Sequence, residues 1–310
     1  MNPLLRRLRR TAAVPAGMVA RAASRPLGGG EGLRLSPRSL GIGGSGALER
    51  AVRGRVVMIT GASSGIGEAA ARMVGEAGGT VLLVARSGAE LDRIGAEIGT
   101  SASGGSAHAM PCDLTDLEAI DLLAESAIAE HGGVDVLINN AGRSIRRSLE
   151  LSQDRFHDFE RTMQLNYFGA VRLILRLMPA MKERGGGQVI NVSSAGVQTR
   201  TPRFSGYIAS KAALEAFSDA VQAETLGDGI RFTTISMPLV RTAMIAPTAH
   251  YDGWPALTSE EAGRLVAEAI VGRPRRVAPP FAHLVSAVDK FGPELMDQVR
   301  NRGYRMFPDS

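Results

Sequence analysis

The sequence predicts an α/β protein, one domain on a doubly wound parallel sheet preceded by a basic tail. Three observations carry that reading. From residue 54 onward, short apolar runs alternate with longer helical segments. Several runs are apolar on both faces, as strands of a buried parallel sheet must be. A Gly-rich turn follows the first run directly. At 310 residues and 44% hydrophobic, the chain holds one large domain plus a tail.

The tail comes first. Residues 1–50 carry a net charge of +7, which leaves −2 for residues 51–310 against a whole-chain +5. The basic pI of about 9.8 therefore belongs to the tail, and a nucleic-acid partner is not expected of the core. RRLRR, RPLGGGEG and GIGGSG have little apolar periodicity, so a disordered extension is expected. A contact with anionic lipid or nucleic acid, and an organellar targeting sequence, are the other two readings. The chain has one cysteine, Cys112, which excludes an intrachain disulfide and suits a reducing setting. No apolar run approaches the roughly 20 residues of a membrane span. The expected place is the cytoplasm, with peripheral membrane contact as the variant.

Strands are expected at Val56–Ile59, Val81–Ala85, Val134–Ile138, Val189–Val192 and Ile230–Ile235. Helix starts are read at Ser87 with Glu90, Thr115 with Glu118, and Thr258 with Glu261, each at the spacing of a capping box. Leu117, Ile120, Leu123, Ala127 and His131 recur at helical spacing as one buried stripe. The domain is bounded at 51–280. A helical extension follows over 281–310, where Phe281, Leu284, Val288, Phe291, Leu295 and Val299 are three or four apart. A packed helix or dimer contact is the default there, and a membrane-surface helix the sharper option.

VVMITGASSGIGEAAARM joins the first strand to a helix. Gly61, Gly65 and Gly67 permit a sharp turn and close backbone approach, and the helix starting near Gly65 aims its positive end at a pyrophosphate. The second strand ends in Ala85-Arg86. An acidic residue there would bind a ribose 2′-OH, whereas an arginine pairs with the 2′-phosphate of NADP(H). Asp113 follows the third strand, in reach of an adenine edge, and Asn139–Gly142 closes the fourth with small residues beside the cofactor. No metal site is read.

Tyr207 and Lys211 are four apart at the start of a helix, hence on one face. A neighbouring ammonium favours the phenolate over a phenol of pKa about 10, so the pair suits proton donation near neutral pH. Ser194, thirteen residues earlier at a strand end, can hydrogen-bond a substrate carbonyl. A surface helix and a bland turn are the competing readings of these elements taken singly.

TGASSGIG, NNAG, Asn166 within QLNYFG, Ser194 and YIASK together resemble the ordered motifs of the short-chain dehydrogenase/reductase family, over roughly residues 52–275. The resemblance implies a Rossmann-type fold and makes Ser194, rather than Ser193, the catalytic serine. It gives Asn166 a water relay ending at Lys211. It adds Ser63, Ser64, Ile66, Leu114, Asn140, Ala141 and Gly142 to the cofactor contacts, with Tyr207 and Lys211 themselves. After the sixth strand the family's Pro-Gly is replaced by Pro238-Leu239, although Pro238, Val240 and Thr242 match cofactor-contacting positions. Family habit implies a homo-dimer or homo-tetramer.

NNAGRSIRRSLELSQDRFHDFERTMQLNYFGAVRL and MPLVRTAMIAPT resemble bacterial long-chain fatty acyl-CoA reductases of this family. That implies NADPH-dependent reduction of an acyl-CoA thioester to the aldehyde, through a hemithioacetal and with no covalent cysteine. Arg146 and Arg147 would meet coenzyme A phosphates, and a solvated basic loop is the alternative. Met244, Ile245, Tyr251 and Trp254 would form an apolar lid, ordinary core being the alternative. A reductase of a ketone, a 3-oxoacyl thioester or a steroid is the nearest competing function. A non-catalytic NADP-binding protein is the second.

Overall fold

The computed structural model describes residues 46–100, 104–245 and 254–306. Most of the basic tail therefore lies outside the described residues, as does Tyr251. Helix α1 (Ala47–Val52) straddles the boundary expected at residue 50, with Val52 buried in the core.

Seven parallel strands form one sheet in the order β3-β2-β1-β4-β5-β6-β7. The strands are β1 (Val56–Thr60), β2 (Thr80–Ala85), β3 (Ser106–Pro111), β4 (Val136–Asn139), β5 (Gly187–Ser194), β6 (Ile230–Met237) and β7 (Arg276–Val277). The order reverses between β1 and β4, and a crevice at the carboxyl ends of strands at such a switch point is where this architecture binds ligands.

The period-two alternation of each strand splits the core in two. Val57, Ile59, Val81, Leu83, Ile138, Ile190 and Ile235 pack on one face. That face is covered by α2 (Gly65–Glu76), α3 (Gly88–Gly99) and α9 (Ser259–Gly272). Met58, Leu82, Val84, Leu137, Val189 and Phe232 pack on the other, beneath α4 (Leu117–His131), α6 (Ala170–Glu183) and α8 (Ser205–Thr225). Between these helices lie α5 (Phe156–Met163), which runs into the π-helix Gln164–Gly169, and the short α7 (Ala195–Thr199). Apolar strand residues on both faces thus fix the doubly wound architecture.

Of the three expected capping boxes, only Thr258–Glu261 forms, each side chain bonding the other's backbone N–H at 3.1 and 2.8 Å. At α4 the cap is Asp116, which accepts from the Glu118 and Ala119 amides. Thr115 turns instead to Asp113, donating its hydroxyl at 2.8 Å. Ser87 precedes α3 without a side-chain cap bond, and Glu90 is drawn to Arg93. The α4 stripe is also shorter than its periodicity suggests. Ile120, Leu123 and Ala127 are buried, whereas Leu117, in the first turn, is exposed and His131 sits against His108.

The C-terminal helices α10 (Pro280–Phe291) and α11 (Pro293–Met306) turn their apolar residues outward. Phe281, Leu284, Val288, Phe291 and Leu295 are all exposed, Phe291 by 93%. The docked face carries Ala282 and Asp289 instead. Asp289 is clamped between Arg200, just after α7, and Arg300 of α11, both at 2.6 Å. Ion pairing of Asp289 fastens the extension beside the buried Ala282 and the half-buried Val299. No helix among the described residues is long and apolar enough to cross a membrane.

Candidate active site

Gly61 and Gly65 adopt left-handed φ of 66° and 59°, which a side chain would strain. A Cβ on Gly67 would stand 2.2 Å from the Gly61 carbonyl oxygen, so the turn closes only with glycine there. The hydroxyl of Thr60 locks the turn to the end of β4, accepting from the Asn140 and Ala141 amides at 3.0 Å each. Asn140 returns its side-chain amide to the Thr60 carbonyl at 3.0 Å. Beyond the turn, α2 starts at Ser64 without a side-chain cap, leaving its first amides open to an anion. Ile66 packs into the core beside the turn.

Arg86 is exposed at the end of β2 and Asp113 is exposed past β3. Asp113 accepts from the backbone and hydroxyl of Thr115, which hold its carboxyl below the usual range, helped by the charges of Arg86 and Arg143. Leu114 is buried beside it. On the far side of the turn, a Cβ on Gly65 would lie 3.1 Å from Thr242 Cγ2. The departure at Pro238-Leu239 does not scatter this segment. Leu257 donates to the Leu239 carbonyl and accepts from the Arg241 amide, both at 2.9 Å, and Val240 is buried. The turn, the open helix end and the flanking Arg86 and Thr242 suit a dinucleotide lying across the switch point.

Ser194 ends β5, and its hydroxyl oxygen accepts from the Gly196 amide at 3.0 Å. Tyr207, in the first turn of α8, lies close enough to Ser194 for its hydroxyl to act on the phenol. Lys211, one turn later, is buried and donates from Nζ to the Val192 carbonyl at 2.9 Å. Serine, tyrosine and lysine thus meet where β5 and α8 pack together.

The electrostatics differ from the expectation of a phenol acidified by its neighbour. Burial pushes the Tyr207 phenol up from its ordinary value, against a smaller downward pull from Ser194. Lys211 is pushed down to about 8 by its own burial, opposed by Glu215. Removing either group from water penalises its charged form, and the Lys211 ammonium points at a backbone carbonyl.

Asn166 lies in the π-helix, a distortion that often marks functional sites. Its Oδ1 accepts from the Arg143 amide at 2.8 Å. Its Nδ2 donates to the Arg143 carbonyl and to Ser210 Oγ, both at 2.9 Å. A Cβ on Gly142 would stand 3.3 Å from both Asn166 Oδ1 and Lys211 Nζ, so Gly142, Asn166 and Lys211 form one cluster. The side chain of Asn166 pins the Arg143 backbone to the helix that carries Tyr207.

The expected substrate residues are placed unequally. Met244 and Trp254 are each 47% exposed, flanking the undescribed 246–253, and Ile245 is half-buried. Neither large side chain belongs to the core. Arg147 faces inward, 3.4 Å from the buried Asp158, which Arg155 also holds at 2.8 Å. Arg147, Asp158, Phe159, Arg203 and Tyr207 line one small cavity. Arg203 stacks on the Tyr304 ring, 4.0 Å from its centre, so α11 reaches this wall. Sequence reasoning missed Asp158, Arg203 and Tyr304, which no motif or period marks. Among the described residues no His, Cys, Asp and Glu cluster could hold a metal.

The sequence family described as short chain dehydrogenase matches residues 55–252. A fatty acyl-CoA reductase of Acinetobacter baylyi is 52% identical over 259 residues, 84% of this chain and 87% of that protein. An uncharacterized oxidoreductase of Mycobacterium bovis is 57% identical over 264 residues, 85% of this chain and 77% of its own length. Among solved structures, L-sorbose reductase from Gluconobacter frateurii, complexed with NADPH and L-sorbose, is 26% identical at a TM-score of 0.66. That match covers 73% of this chain and 95% of that one. Fold and relatives together define an oxidoreductase that works with a nicotinamide dinucleotide. The chain belongs to the short-chain dehydrogenase family.

Proposed function

We propose that the enzyme uses NADPH to reduce a long-chain acyl-CoA thioester to the fatty aldehyde, with Tyr207 as proton donor. The observation that carries the substrate is the 52% identity, over most of both chains, to a protein named fatty acyl-CoA reductase. NADP(H) is favoured by exposed Arg86 at the end of β2, where Ala85 and Arg86 offer no carboxylate to a ribose. When bound, the nicotinamide supplies the hydride.

The residues of the chain do the rest. Ser194 Oγ accepts from Gly196, and its hydroxyl proton can turn from Tyr207 to a substrate carbonyl. Tyr207 donates a proton to the same oxygen as charge develops on it. Lys211, charged below about pH 8, supports that transfer. The hemithioacetal formed on the substrate collapses to aldehyde and thiol. A thioacyl route through Cys112 is disfavoured, because burial pushes that thiol up to about 11 and only a thiolate is a good nucleophile.

Arg146 and Arg147 are assigned to coenzyme A phosphates, with Arg147 restricted by Asp158. Met244, Tyr251 and Trp254 are assigned to the acyl chain. Exposed Leu122 and Leu175, on the adjacent helices α4 and α6, suit a homo-oligomeric contact, and the exposed apolar residues of α10 suit peripheral contact with a lipid surface. The deciding experiment is NADPH oxidation with acyl-CoAs of graded length, run beside ketone substrates and a Tyr207→Phe control. Aldehyde formed from long-chain acyl-CoA supports the reading; turnover of ketones alone overturns it.

A further inference from the structure

Beneath the Ser194–Tyr207–Lys211 cluster lies a second charged group that no motif marks. Glu215 is buried on α8, four residues after Lys211. Both of its carboxylate oxygens are used. Ser193 donates to Oε1 at 2.5 Å, and Arg276 of β7 donates to Oε2 at 2.7 Å. Consecutive residues of β5 therefore divide the work: the Val192 carbonyl takes Lys211, Ser193 takes Glu215, and Ser194 faces Tyr207.

We propose that Glu215 is a positioning residue for Lys211, an anchored negative charge one helical turn away that holds the buried ammonium in its charged form and in its place against β5. The proposal rests on the proton-transfer reading of Tyr207 and Lys211. A lysine whose ammonium leaves water loses stabilisation unless an opposite charge restores it. Side chains four apart on a helix are neighbours, roughly 5–6 Å between Cβ atoms. Burial lowers Lys211 and Glu215 opposes that shift. The other charges packed here answer one another: Asp219 of α8 pairs with Arg275 at 2.5 Å and with Arg276 at 3.2 Å. Arg276 and Ser193 thus fix the carboxylate between sheet and helix, so the last strand of the sheet is tied to the proton-handling residues.

The chain has three lysines, Lys182, Lys211 and Lys290, so lysine-selective isotope labelling lets NMR follow the Lys211 ammonium through a pH titration without any substrate. The wild type is expected to titrate near 8. In Glu215→Gln the midpoint should fall by about one unit or more, while Glu215→Asp, which keeps the charge, should stay near the wild type. Should Glu215→Gln fail to fold, Arg276→Met keeps the carboxylate and removes its competing cation, and should move the Lys211 midpoint up; an unmoved midpoint there counts against the proposal equally. An unmoved midpoint in a folded charge-removing variant, or an Asp variant displaced as far as the Gln variant, overturns the proposal. Because the titration needs no turnover, its failure is separable from failure of the acyl-CoA reading, which the wild-type assay decides.

Discussion

Lys211 Nζ donates to the carbonyl of Val192 at 2.9 Å, so the buried ammonium is tied to the strand that presents Ser194 two residues later. Burial lowers it to about 8, where an ordinary lysine stays charged well above pH 10. A lysine with a lowered pKa loses its proton earlier as pH rises. Burial moves Tyr207 the other way, so the phenol keeps the proton it must donate. Carbonyl reduction should therefore hold steady on the acid side and decline above about pH 8. Initial rates of NADPH oxidation between pH 6 and 10 check this, and a profile flat to pH 10 would remove Lys211 from the proton chemistry.

Ser194 and Tyr207 stand together at the end of β5, and their loss should affect chemistry far more than binding. Tyr207→Phe and Ser194→Ala are each expected to lower kcat by about 10²- to 10⁴-fold. Cofactor affinity, read by nucleotide fluorescence titration, should change little. A Tyr207→Phe enzyme with more than a tenth of wild-type kcat would assign the proton to another donor.

How much of this was legible follows from where the signals live. The sheet was readable because strands such as β2 and β5 are apolar on both faces, which only a covered parallel sheet tolerates. β3, Ser106–Pro111, shows no such run because it is an edge strand with partly exposed residues. β7 has two residues, too few for any period. Tyr207 and Lys211 were visible as a spacing on one helix. The partner of Lys211 is a backbone carbonyl, which has no residue letter, and the pairs Arg147–Asp158 and Glu215–Arg276 join distant segments. The apolar spacing of Phe281, Leu284 and Phe291 marks a face that stays exposed, whereas the docked face is held by Asp289 and two arginines, a pairing no spacing shows.

That fastening is itself testable. Asp289 is buried and paired with both Arg200 and Arg300, and removing it leaves Arg200 to water and Arg300 with only Asp297 and the Thr199 carbonyl. Asp289→Ala should destabilise the C-terminal helices by roughly 1–3 kcal/mol. Limited proteolysis should then cut within 280–306 while the sheet domain persists. A cleavage pattern identical to wild type would show that the helices are held by something else.

Gly67 offers a sharper test of the turn. A Cβ there would meet the Gly61 carbonyl oxygen at 2.2 Å, a contact with backbone that no rotamer relieves. Gly67→Ala should cost about 1–3 kcal/mol of stability as the turn is forced open, seen as a lower Tm, and should weaken cofactor binding with it. Equal stability and affinity in the variant would mean that the turn is softer than its geometry.

The last prediction separates NADPH from NADH. Arg86 is exposed, so replacing it should disturb neither core nor sheet. It stands in the same charge cluster as Asp113 and Arg143, at the strand end where a dinucleotide ribose is read. A guanidinium there stabilises a 2′-phosphate by charge-assisted hydrogen bonds, and a carboxylate would repel it while accepting from a ribose hydroxyl. In Arg86→Asp, kcat/KM for NADPH should fall at least about tenfold, roughly 1.4 kcal/mol, while kcat/KM for NADH holds or rises and Tm stays put. If the ratio of the two cofactors does not move, Arg86 is a solvated surface charge and the preference for NADP(H) must come from elsewhere in the crevice.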